Sequence, residues 1–137
     1  MHKKIHLGKV YKEQGNAVFA LVEKKNFMRV MENACRVTGG RISSITAYDN
    51  GKEIELLYTF LLEKQVLNIK LKIGRDRPCI ESVTKLFPGA EIYERENYEM
   101  FGINFEGNQN LKPILLDEAS PKTPLKKKTG EKNDRQK

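Results

Sequence analysis

Between residues 93 and 102 the chain sets four ionisable groups, Glu94, Arg95, Glu96 and Glu99, among Tyr93, Tyr98, Met100 and Phe101. Carboxylates this close invite a general acid–base reading, in which one carboxyl gives a proton and another takes one. That chemistry needs a companion: a nucleophile, a histidine or a metal. The two histidines, His2 and His6, lie at the start of the chain, and the two cysteines, Cys35 and Cys79, are far apart with no C-x-x-C pair. A zinc or iron–sulfur site asks for closely placed Cys and His, so none is expected from this chain alone. The cysteines read as small buried hydrophobes, with a single disulfide as the alternative. No G-x-G-x-x-G dinucleotide loop and no Walker A loop occurs. Two readings of 93–102 remain. One is a surface helix on which Arg95 and Glu99, four apart, pair for about 0.2–0.5 kcal/mol. The other is an interface with another protein chain, made by Glu94, Arg95, Glu96, Glu99, Met100, Phe101 and Gly102, because Arg and aromatics concentrate at interface hot spots. In both, Met100 and Phe101 bury the helix end, and Gly102 supplies the positive φ just past it.

The elements that must position this stretch follow from periodicity. Residues 16–23 (NAVFALVE) read as a strand. In 24–38, Phe27, Val30, Met31, Ala34, Cys35 and Val37 recur mostly at three and four residues, one helix face, and Gly39-Gly40 ends it. Residues 41–48 are β-branched enough for a strand. Asp49-Asn50-Gly51 signals a hairpin turn. Residues 52–62 place Ile54, Leu56, Tyr58 and Phe60 on one face, and 66–73 place Leu67, Ile69, Leu71 and Ile73 likewise. A loop at 74–78, a short helix at 79–87 stopped by Pro88-Gly89, and a helix at about 92–101 complete the series, with 105–107 and 111–116 irregular or extended. The order predicts an α+β fold of two layers, a mostly antiparallel sheet with helices on one face.

Composition bounds the function. The 137 residues are 39% apolar, suiting one domain over 1–118 with a real core. No apolar run approaches the roughly 18 residues of a membrane span, and the basic start lacks the apolar stretch of a secretory signal. The net charge of +7 is concentrated in 119–137, where seven Lys/Arg face two acids, Glu131 and Asp134. This Lys-rich tail is expected to be disordered alone, either as a solvated extension or as an arm for an acidic partner or anionic lipid. The body is nearly balanced, so a nucleic-acid surface is not required by composition. The sheet residues also show no clear aromatic stacking pair of the kind single-strand binders use.

The run Tyr93-Glu94-Arg95-Glu96-Asn97-Tyr98-Glu99-Met100-Phe101-Gly102-Ile103, with its E-R-E-x-x-E-M-F-G-I core, resembles the signature of the 30-kilodalton subunit family of complex I NADH dehydrogenase. That family includes the related subunits of energy-converting membrane-bound nickel–iron hydrogenases. Residues 78–83, the Phe-Pro-Gly-Ala approach and the strand–turn–strand ahead of them resemble it as well, over roughly 16–116. The resemblance implies a non-catalytic peripheral-arm subunit, on the cytoplasmic side of the membrane, that packs on a large catalytic subunit. Neighbouring subunits would carry the iron–sulfur clusters and, in hydrogenases, a nickel–iron (NiFe) centre, and this chain would bind no cofactor. Gly107-Asn108-Gln109 stands where much of the family has Gly-His-Pro, and Lys112-Pro113 where it has two basic residues. These departures and the short chain point towards the hydrogenase or ferredoxin-linked branch. The equivalent subunit of an NADH- or F(420)H(2):quinone oxidoreductase is the alternative, and a small basic nucleic-acid-binding module the second.

Overall fold

Strict alternation fixes the centre of the sheet. In β4 (Glu53–Leu61), Ile54, Leu56, Tyr58 and Phe60 are wholly buried, while Glu53, Glu55, Leu57 and Thr59 turn to the other side. Antiparallel pairing with β5 (Val66–Gly74) sets Ile54 opposite Ile73, Leu56 opposite Leu71, Tyr58 opposite Ile69 and Phe60 opposite Leu67. Each fully buried side chain of this size contributes about 1.5–3 kcal/mol. The antiparallel β3 (Ser44–Asp49) lies on the far side of β4, with Ile45 opposite Tyr58. The β3–β4 turn is held by Asn50 Oδ1, which accepts from the backbone N–H of Lys52 and Glu53. Gly51, at φ 93°, supplies the left-handed residue that the Asn-Gly pair announces.

The computed structural model describes residues 8–111. Within them the main sheet runs β1-β2-β5-β4-β3. β2 (Ala17–Val22) joins β5 in parallel, and β1 (Lys9–Gln14) pairs antiparallel with β2 at one edge. Three of the four pairings are thus antiparallel, as expected. After a 3-10 turn at Lys24–Asn26, α1 (Phe27–Thr38) buries Phe27, Val30, Met31, Ala34 and Thr38 against the sheet, with the Phe27 and Tyr58 rings 5.2 Å apart. Gly39, at φ 72°, ends it and donates to Cys35 O. The two cysteines are free and partly buried.

Two expectations need correction. Residues 79–87 are not a helix. Cys79–Glu81 form a short strand, β6, parallel to β7 (Asn104–Glu106), with Ile80 opposite Phe105. Ile80, Val83 and Phe87, spaced at three and four, imitate a helix face; each instead enters the core from extended or turning backbone. Secondly, β1 precedes the first strand expected. Its six residues are all exposed, so no apolar alternation marks it. The tail at 119–137 lies outside the described residues.

Candidate functional site

α2 (Ala90–Phe101) begins after Pro88-Gly89 and ends where Gly102, at φ 74°, donates to Tyr98 O. The helix turns polar side chains inward. Glu94 is wholly buried, and Asn97, Glu99 and Phe101 are each 6% exposed. This inverts the usual order, in which a glutamate on a short helix faces water.

Three donors explain the buried carboxylate. Glu94 Oε2 accepts from Val83 N at 2.8 Å, and Oε1 accepts from Ser82 Oγ at 2.8 Å and Asn108 Nδ2 at 2.9 Å. One side chain therefore ties the segment after β6 and the loop after β7 to α2. Pairing with β7 draws residues 79–81 into a strand, and a single turn closed by the Phe87 N–H donating to Val83 O at 2.8 Å follows, so 79–87 is no helix. Burial pushes the Glu94 pKa above the usual carboxylate range, against the three hydrogen bonds, and the charge of Glu91 adds to the rise. Tyr58 lies within reach of this charge. Its phenol is pushed well above its ordinary value, first by burial and then by Glu94, and its hydroxyl has no hydrogen-bond partner among the described residues.

Asn97 does a second structural task. Its Nδ2 donates to Ile45 O on β3 and to Tyr93 O one turn back, both at 2.9 Å. The first bond satisfies an outward carbonyl of the β3 edge, so α2 closes that edge of the sheet.

The residues singled out from sequence thus divide. Glu94, Glu99 and Phe101 are buried within this chain, whereas Arg95, Glu96, Met100 and Gly102 are only partly covered. Arg95 forms no ion pair with a described residue, so the pairing with Glu99 suggested by spacing is not made. Its Nε is buried without a hydrogen-bond partner among the described residues. Ile92, three residues before it, is 43% exposed. Sequence reasoning missed Ser82, Val83 and Asn108, the donors to Glu94; nothing in local spacing links positions 12 and 14 residues apart. The Glu94 carboxylate has no solvent access and both its oxygens accept hydrogen bonds from within the chain. Among the described residues no group of three or more His, Cys, Asp or Glu could hold a metal. An open groove of about 650 Å³ beside Val37, Ile42 and Leu61 contains none of the singled-out residues.

Comparison with known proteins bears on this arrangement. Residues 20–134 match the model of a family described as the respiratory-chain NADH dehydrogenase 30 kDa subunit. A subunit of the NADH-quinone oxidoreductase of Ruegeria pomeroyi is 34% identical over 111 residues, covering 78% of this chain and 54% of that protein. A subunit of the F(420)H(2) dehydrogenase of Methanosarcina mazei is 35% identical over 99 residues, covering 70% and 59%. A subunit of the NADH-quinone oxidoreductase of Mesorhizobium japonicum is 36% identical over 77 residues, covering 56% and 38%. The chain spans less than two thirds of the length of these curated relatives. Two solved structures share the fold. A chain of the membrane-bound sulfane sulfur reductase, an archaeal respiratory membrane complex, has a TM-score of 0.73 at 24% identity, over 82% of this chain and 71% of that one. A trypsin-resistant fragment of Nqo5 has a TM-score of 0.63 at 19% identity, over 69% and 83%.

Proposed function

The chain belongs to the 30 kDa subunit family of the respiratory-chain NADH dehydrogenase, and from that premise we infer that it is a non-catalytic structural subunit of the peripheral arm of a membrane-bound oxidoreductase. It packs on the large catalytic subunit and carries no cofactor; its partners hold the iron–sulfur clusters and, in a hydrogenase-type complex, a nickel–iron centre. It sits on the cytoplasmic side of the membrane without crossing it, in keeping with the lack, among the described residues, of any helix long and apolar enough to span.

One observation carries this reading. The inner side of α2 is fully engaged in building the domain, while its outer side presents the exposed Ile92 and an Arg95 whose buried Nε lacks a partner among the described residues. The Nε is covered within the chain, so a partner would meet the partly exposed remainder of the Arg95 side chain. An arginine with no ion pair among the described residues, beside the exposed Ile92, suits a carboxylate across a boundary between subunits. Arg95, Glu96, Met100 and Gly102 are the interface residues of this reading. Glu94, Glu99 and Phe101 support it from beneath.

Which complex is a finer question. The departures at Gly107-Asn108-Gln109 favour an energy-converting hydrogenase or another ferredoxin-linked assembly. The relatives named for NADH-quinone and F(420)H(2) dehydrogenases favour the quinone-linked alternative. Affinity purification of the tagged chain from gently solubilised native membranes, with mass spectrometry and metal analysis, separates them. A large subunit with nickel marks a hydrogenase; a large subunit without nickel leaves a dehydrogenase or another ferredoxin-linked assembly, which the identity of the co-purified electron-accepting subunits tells apart. Arg95→Glu should abolish co-purification and leave cooperative thermal unfolding of the isolated chain intact. Recovery of the unaltered chain alone, or undiminished partner recovery with Arg95→Glu, overturns the interface.

A further inference from the structure

The sheet face turned away from the helices is not uniform. Cross-strand neighbours share a face, so the register that sets Lys12 and Asn68 opposite Phe19, and Lys9 and Lys70 opposite Leu21, puts all of these on the open side. Lys72 follows Lys70 by two residues and joins them. Glu13 pairs with Val18, which pairs with Leu67 of the buried face, and so points the other way. Across β1, β2 and β5 the open face therefore carries four lysines and no acid. The nearest open-side acids stand on β4. One of them, Glu55, holds Lys70 at 3.2 Å and stands directly opposite Lys72, whose charge it also feels. Neither Lys12 nor Lys72 comes within ion-pair distance of a described acid.

Two aromatic rings organise these charges. Tyr11 and Phe19 lie 6.2 Å apart, an aromatic pair that sequence reading did not foresee because β1 itself was missed. Lys12 Nζ sits 5.3 Å from the Phe19 ring centre and Lys70 Nζ 5.5 Å from that of Tyr11. Each ring already holds an ammonium group and leans on the other ring, so neither is a free platform for a nucleobase. Beside this patch the outer edge of β1 is paired with no strand among the described residues. Val10 and Tyr11 are 50% and 45% exposed there.

Lysines on an edge strand are a common guard against unwanted pairing, and the bulge between Val10 and Lys12 serves the same end. That explanation covers Lys9 and Lys12. It does not cover Lys70 and Lys72, which stand on β5 at the middle of the sheet.

We propose that the outer edge of β1 and the adjoining basic face of β1, β2 and β5 together receive an extended, acidic segment of a partner polypeptide. The edge supplies main-chain donors and acceptors to a strand, and the lysines read its carboxylates. This surface lies across the sheet from α2 and is independent of the Arg95 contact.

The test uses the full chain and a fluorescent peptide of alternating glutamate and threonine at low ionic strength, read by anisotropy and by amide hydrogen exchange. The basic tail is common to all variants, so its attraction cancels in their comparison. Lys12→Glu with Lys72→Glu, both at exposed positions, should weaken binding by about tenfold or more. The peptide should slow exchange of the β1 amides, and Arg95→Glu should bind it as the unaltered chain does. Equal affinity with and without the two charge reversals overturns the proposal, as does binding that leaves β1 exchange unchanged. Oligothymidylate binding that is tighter than that of the peptide and is weakened by the same two charge reversals would assign the face to single-stranded nucleic acid and overturn it too.

Discussion

The two edges of the main sheet are finished by different means. At β3 the chain's own helix covers the edge: Asn97 takes the Ile45 carbonyl, and beneath it Glu94 gathers donors from Ser82, Val83 and Asn108. At β1 all six residues are exposed, and protection rests on lysines and a bulge. A helix that spends buried polar groups on an edge makes that edge specific and costly to disturb, because each lost partner leaves a desolvated group behind. An edge protected by charge alone costs little to disturb and stays open to another chain.

Removing the Glu94 carboxylate should separate the edges most sharply. Glu94→Ala orphans the buried Val83 N–H, takes a partner from the half-buried Ser82 and Asn108 and leaves a buried void, and a loss of about 3 kcal/mol is expected from urea unfolding. A loss under about 1 kcal/mol would mean that water replaces the carboxylate, and the closed edge would then be no more specified than the open one. Asn97→Ala should follow, at about 1–3 kcal/mol, with faster amide exchange along β3 as its signature.

The charge on Glu94 gives a finer cut. Its folded-state pKa is raised by burial, so the native state holds the proton more tightly than the unfolded chain does. The stability it contributes is therefore greatest in acid. It falls as the pH climbs from the ordinary value of 4.5 through the raised one, and the cost of the buried carboxylate is complete above that. Glu94→Gln cannot titrate. The advantage of the natural chain over Glu94→Gln should shrink across that window when unfolding is followed as a function of pH. An advantage that grows instead would mean that the hydrogen bonds outweigh burial, and the carboxylate would be a charged clamp.

The closed edge was only half legible in the sequence, for a physical reason. β4 and β5 announce themselves by alternation because one side of each meets the core, and the ends of α1 and α2 are announced by Gly39 and Gly102. The helix that carries the candidate site was therefore readable, but not the direction of its side chains. Glutamate at a helical position is normally taken as solvated. What turns Glu94 inward is a set of partners on β6's exit and the loop after β7, and local periodicity holds no trace of such contacts. β6 and β7 were obscured likewise, being three residues each and paired across the length of α2. β1 failed for the opposite reason. It buries nothing, so no pattern records it, and it is a strand because β2 offers it an edge.

The smallest effect is expected on that open edge, and there it is most informative. Tyr11→Ala removes a ring 6.2 Å from Phe19 and the seat of the Lys70 ammonium. Partly exposed ring pairs and cation–π contacts are each worth about 0.5–1 kcal/mol. Total stability should thus fall by about 1 kcal/mol, well short of the Glu94→Ala loss. Amide exchange gives the sharper reading. The β1 amides should exchange through local opening that leaves the rest folded, and Tyr11→Ala should speed them beyond what the loss of total stability explains. The β3 amides, held between β4 and α2, should exchange only with global unfolding and should speed up in the variant only as far as its total stability falls. If β1 proves as protected as β3 in the isolated chain, its edge is not open, and the docking surface proposed there is lost with the contrast.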